Sequence, residues 1–500
     1  MTLKKFLCYC LALSLLVFSL SGCGGSNGFL DNSNNNNQEQ QEQNQEQNQN
    51  QQDTTQDPEQ TQDNTKVQSQ DQTQDQQDTT DDTDTDNNTQ TEKGTGTQYT
   101  ATGSDEHAIN ANDSSQTYTY DNISVTKTGS SSGENSDFYG TNAAVIAQDG
   151  ATLTITNSKI TTNGQYANAV FCYGGSSTTN NGGNSPGGTP PDGNAPGGEP
   201  PAKPSQVTRI SSTGDGSTVN ISDSVITTSS NNSGGIMVTG GGVLNANDLT
   251  ITTSGGSSAA IRSDRGGGTM TIDGGTYTTS GTGSPAIYCT ADISVSGADL
   301  ESKTAQGVVI EGSNSVTLDQ CNLTANHNKL NGQDSSYQGI MIYQSGSGDA
   351  SEGTGTFTMK DSSIINQHGA IFFVTNTTAI INLSGSTITN NDSDNIFLNA
   401  GSAAWGSSGS NGGKVTLTAS NQAINGRINI DSSSSLALTL KDSSSLNGAV
   451  NNTNSGASIS VNIEYGSTWT LTGNSYVTSL TNNGTINKGS YTLYVNGTAY

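Results

Sequence analysis

The residues best equipped for chemistry lie in one short run, Ile261-Arg262-Ser263-Asp264-Arg265-Gly266-Gly267-Gly268. It holds two of the chain's four arginines with an aspartate between them. A guanidinium offers a planar fork of donors that fits a carboxylate, and the glycines behind it permit close backbone approach. The pattern predicts a site for acidic sugars such as uronates. The competing expectation is an ordinary surface ion pair, Arg262 with Asp264 or Arg265 with Glu311. The three histidines, His107, His327 and His368, are isolated, and no His/Cys cluster suggests a metal or other cofactor.

The elements that must position these residues are written in a repeat. Nine times a small residue is followed by a β-branched one, a large one and another core-type residue. Examples are Ala144-Val145-Ile146-Ala147, Ala260-Ile261-Arg262-Ser263 and Ala370-Ile371-Phe372-Phe373, and Asn395-Ile396-Phe397-Leu398 is the last copy. The steps between copies are 25, 66, 25, 26, 21, 32, 31 and 25 residues. Such a period, carried by short β-type runs, predicts a solenoid. A second signature of period two follows each phrase after a turn, as in Leu153-Thr154-Ile155 before Ile160 and Phe357-Thr358-Met359 before Ile364. Gly, Asn, Asp and Ser supply the corners. The expected fold is all-β, a parallel β-helix over residues 99–500. Residues 173–206, with seven of the nine prolines, form a loop thrown out of one coil and explain the 66-residue step.

Counting from the small residue as zero, positions one and three are core-type and should fill the bore, so positions two and four should face out. Position two runs from Ile146, Phe171 and Met237 through Arg262 and Tyr288 to Met341, Phe372 and Phe397; position four includes Asp264, Glu311 and Tyr343. An outward apolar stripe of this length predicts contact. One expectation is a groove for an extended polysaccharide or host glycan, bound by Arg262, Asp264, Arg265, Tyr288, Glu311, Tyr343, Asp349 and Phe372. The other is that the N-terminal strands or the 173–206 loop cover the stripe.

Composition sets the address. Apolar residues make up 29% of the chain and aromatics 5%, enough for a narrow bore but not for a thick core. Lys4 and Lys5, the apolar run Phe6 to Leu20, and Leu20-Ser21-Gly22-Cys23 read as a signal peptide over 1–23 ending in a cleavage site. This resembles the bacterial lipobox, which implies acylation of Cys23 and an exported chain held by lipid at a membrane surface. Residues 24–98 carry 16 acidic and 2 basic residues, so 14 of the net 27 negative charges lie there. That segment reads as a disordered Asn/Gln/Asp/Thr-rich tether, about 50 Å in root-mean-square reach. So acidic a chain is not expected to bind nucleic acid, and a monomer is expected. Cys172 and Cys289 share a repeat position three coils apart, too far for a disulfide. With Cys321 they read as core residues.

From about Tyr99 onward the chain resembles adhesin-like bacterial surface lipoproteins with a right-handed β-helix, of pectin-lyase-like architecture. The tail with Trp469, Gly473 and Ser475 is similar to the last coils of autotransporter passenger domains. The resemblance implies surface location. It leaves activity open, since this architecture hosts lyases, hydrolases and binding modules alike. Lyases on this scaffold need carboxylates around Ca²⁺ with a basic residue, and hydrolases need paired aspartates. From residue 99 on, no two aspartates are adjacent. A non-catalytic adhesin is therefore the expectation, with a polysaccharide lyase or glycoside hydrolase, or a passive surface spacer, as alternatives.

Overall fold

The structure, a computed structural model, describes residues 91–133, 135–175, 214–332 and 334–500, with side chains from Thr95 onward. The signal segment, Cys23, most of the tether and most of the 173–206 loop lie outside the described residues. The described chain is a right-handed parallel β-helix. Its first strands are Thr91–Thr95 and Gln98–Ala101, so β-structure starts several residues before Tyr99.

Each coil visits three sheets in turn. The first sheet has 14 strands, running from Thr91–Thr95 to Ser479–Asn482. The second has 10, from Gln98–Ala101 to Thr387–Asn390, and the third has 11, from Ile109–Ala111 to Arg427–Ile430. After the second sheet ends, a four-stranded sheet beginning at Ala423–Asn425 takes its turn in the coil. The pairing is parallel throughout until Leu493–Val495 folds back antiparallel on Thr498–Ala499.

The period-two runs become strands because alternation puts one apolar rank inward. In the first sheet Leu153 pairs with Val219, which pairs with Leu244, then Met270 and Ile293. In the second, Ile160, Ile226, Ile251, Tyr277 and Leu300 stack in the same way. The phrase supplies the third sheet: Val145, Val170, Ile236, Ile261, Ile287 and Val308 form its inner rank. Burying one such side chain contributes about 1.5–3 kcal/mol. Cys172, Cys289 and Cys321 are free thiols buried in this core, and burial pushes Cys172 and Cys289 up to about 12.

The corner between the first and second sheets needs one left-handed residue per coil, and Asn or Asp tolerates that conformation. Asn157, Asp223 and Asp248 hold it at φ 50°, 51° and 49°. After Asn157 and Asp223 a serine follows and links neighbouring coils: the Ile123 N–H donates to Ser158 Oγ at 3.1 Å, and the Ser158 N–H to Ser224 Oγ at 3.0 Å. These bonds satisfy backbone donors that leave the ladders at the bend.

Candidate functional site

The outer rank of the third sheet reads Ile146, Phe171, Met237, Arg262, Tyr288, Val309, Met341, Phe373, Asn399 and Asn429 in register. The first seven are the expected position-two residues. Phe372 is not on this face. Its strand pairs Ala370 with Gln338 and Phe372 with Ile340, one residue out of phase with the phrase. Phe372 therefore points into the bore, fully buried, with ring centroids 5.6 Å from Phe357 and 5.5 Å from Phe397. Phe397 is buried there too, beside a register shift between Ile396 and Leu398.

The stripe is not open to solvent; the chain covers it with its own segments. At the N-terminal end a five-residue helix, Asn135–Tyr139, lies over it. There Ile146, Phe171 and Met237 form a second apolar cluster with Ala143, and Tyr173 packs against it. Gly140, which follows the helix, has φ +67°, and a Cβ there would sit 2.6 Å from the Phe171 ring. Further along, Val309, Met341 and Phe373 are packed against Tyr288, Tyr343, Ala403 and Trp405. Tyr343 meets Trp405 edge to face at 5.1 Å. The cover comes from the segments 135–143 and 401–412, not from the first strands.

Between the two covers sits the polar group that the sequence singled out. Arg262 donates to Asp137 Oδ1 and to Asp264 Oδ2, each at 3.0 Å. Arg265 Nε donates to Asp349 Oδ1 at 2.6 Å, and its guanidinium stacks 3.7 Å above the Phe138 ring. Glu311 accepts from Tyr288 Oη at 2.7 Å, from Tyr343 Oη at 2.9 Å, and from the hydroxyls of Ser345 and Ser347. Seven of the eight expected residues, all but Phe372, thus fall in one neighbourhood, as two adjoining networks. Asp137, Phe138, Ser345, Ser347 and Trp405 join them; the only sequence signal for these was aromatic residues in segments otherwise polar.

Burial governs the electrostatics. Burial opposes the charge of Arg262, yet Asp137 and Asp264 raise its pKa above the ordinary arginine range. Burial above all pushes Asp264 up to about 7 against the pull of Arg262, with Asp349 and Asp137 adding to the rise. Burial likewise drives the Tyr288 and Tyr343 phenols well above their usual value, with Glu311 contributing. Both terminal nitrogens of Arg262, Nε of Arg265 and both carboxylate oxygens of Glu311 are engaged within the chain. Among the described residues, no group of three or more His, Cys, Asp or Glu could hold a metal ion. What this arrangement does best is pin the helix and the 344–350 loop to the sheet.

Fold and site together define a parallel β-helix whose apolar flank is roofed by its own chain. Compared with protein-family models, curated proteins and solved structures, the chain matches none.

Proposed function

We propose that this chain is a non-catalytic surface protein, adhesin-like, exported and anchored at the outer face of a bacterial membrane through lipid on Cys23. Its β-helix would contact polysaccharide or host glycan through polar outward side chains rather than act on it chemically. One observation carries the non-catalytic part: Arg262, Asp264, Arg265 and Glu311, the residues best equipped for chemistry, are each engaged by other side chains of the chain itself. The outer ranks of the other sheets support the glycan part. Thr126, Thr161, Thr227, Thr252 and Thr278 stand in register along the second sheet, a solvated array of hydroxyls. The test is retention of the full chain on immobilised polysaccharides with product release followed in parallel. Retention without products is expected; release of reducing ends or of ultraviolet-absorbing unsaturated ends would overturn the reading, and absence of retention would favour a passive spacer. For the anchor, Cys23→Ser should move the chain from the membrane fraction to the soluble exported fraction.

A second reading, an acid–base carbohydrate enzyme, is favoured by one fact, the Asp264 carboxyl held near neutrality beside two other carboxylates. Asp264→Asn abolishing product formation would establish it.

A further inference from the structure

Beyond the segment 401–412 the outer rank of the third sheet changes character and opens. A cleft of about 380 Å³ is lined there by Asn399, Arg427, Asn429, Asp431, Asn452 and Thr453, among others. Asn399 and Asn429 are register partners on adjacent coils, so their backbones stand about 4.8 Å apart and both side chains line the same cleft. The bridge from Ile428 to Val450 brings the next turn of chain, with Asn452, alongside.

These amides differ from others on the helix. Asn245 donates to Asn220 on the neighbouring coil, and Asn322 to Asp299. Among the described residues, the side chains of Asn399, Asn429 and Asn452 have no hydrogen-bond partner. Each can offer two donors and a carbonyl acceptor. Arg427 is held only by Asp394, at 3.6 Å, beyond hydrogen-bond reach, and its side chain is 38% exposed.

Charge selects the ligand class. Asp431 is ionised: burial alone would raise its carboxyl, but donors from Ser434, Ser402 and Ser433 hold it below the ordinary range. Asp431 and Asp394 together outweigh the one guanidinium, so an anionic ligand would face fixed carboxylates. A neutral ligand rich in hydroxyls meets no such penalty. Its vicinal hydroxyls, each both donor and acceptor, match amides that are the same.

We propose that the Asn399–Arg427–Asn429–Asn452 cleft binds a neutral sugar unit of a polysaccharide. This rests on the glycan-binding reading above and gives it a location and a substrate class, away from the arginine pair at Arg262.

The test is affinity electrophoresis of the detergent-solubilised full chain through gels containing dextran, mannan or a linear β-1,3-glucan, with polygalacturonate as the acidic counterpart. Asn429→Ala and Asn452→Ala are the variants, because Asn452 is exposed, Asn429 is half-buried, and neither side chain makes a hydrogen bond to a described residue. Wild type should be retarded by at least one neutral polymer and not by polygalacturonate. Each variant should weaken retardation roughly five- to tenfold with an unchanged melting temperature. Retardation of wild type and both variants alike would overturn the cleft while sparing the glycan reading. Retardation by polygalacturonate alone would overturn the neutral class. Retardation by none of the four would overturn the cleft and the glycan reading together.

Discussion

Arg262 and Arg427 occupy outward positions of one sheet on one scaffold, yet their surroundings have opposite character. Arg262 lies under a short helix, 12% exposed, with a carboxylate on each side of its fork. Arg427 lies beyond the last cover, with one loose partner and unpaired amides around it. The difference shows that an arginine-rich run does not mark a binding site by itself. A buried charge demands partners from its own chain, and once these are supplied nothing remains for a ligand. An unremarkable asparagine pair left exposed retains all its hydrogen-bonding capacity.

The sharpest way to break the comparison is to remove each guanidinium. Arg262→Ala leaves Asp137 and Asp264 buried without a cation, and should cost about 3–5 kcal/mol. Arg427→Ala should stay within about 0.5 kcal/mol. Denaturant midpoints of the two variants provide the check, and equal losses would erase the distinction. Next is the roof. Trp405→Ala uncovers Val309, Met341 and Phe373, and should cost about 1–3 kcal/mol while increasing binding of an apolar dye such as ANS.

Acidity gives a smaller effect with a definite sign. The folded-state pKa of Asp264, about 7, lies above its unfolded value of 3.8. The folded chain therefore takes up the proton more readily, and stability is lost as pH rises from about 4 to about 7. Asp264→Asn should match wild type near pH 4 and exceed it at pH 8, by roughly 2–4 kcal/mol. His327, buried and pushed down to about 4, works the other way, losing stability as pH falls from 6.5 through 4. The two partly cancel in wild type, so the variant-minus-wild-type difference in melting temperature is the quantity to follow. A difference independent of pH would contradict the burial of Asp264.

Much of the fold was legible because a coil is a local pattern. Val145 and Ile261 lie in the bore as the phrase required, and Leu153-Thr154-Ile155 is a strand with its apolar residues inward. The bridging of Arg262 and Asp264 was also readable, since residues two apart in an extended run share a face. The failures came where one residue shifts the register. Ala370 stands one place early, which sends Phe372 inward and Phe373 outward. The roof was hidden for a different reason. Its contacts join Phe138 to Arg265 and Trp405 to Tyr343 across many residues, and no periodicity reports such pairings. The open cleft was missed because asparagines at coil corners and on outer ranks are common here, and only their partners, or the lack of them, set Asn399 and Asn429 apart.

The roof over the third sheet can be tested with residues already in place. Met237 and Met341 lie on the outer rank beneath the covers, while Met270 and Met359 lie in the bore; all four are buried. Peroxide oxidation of the folded chain, resolved by peptide mass spectrometry, compares them directly. If the chain covers its own stripe, Met237 and Met341 oxidise as slowly as the two bore methionines. Oxidation of Met237 and Met341 at the rate of the unfolded chain, with Met270 and Met359 still protected, would contradict it.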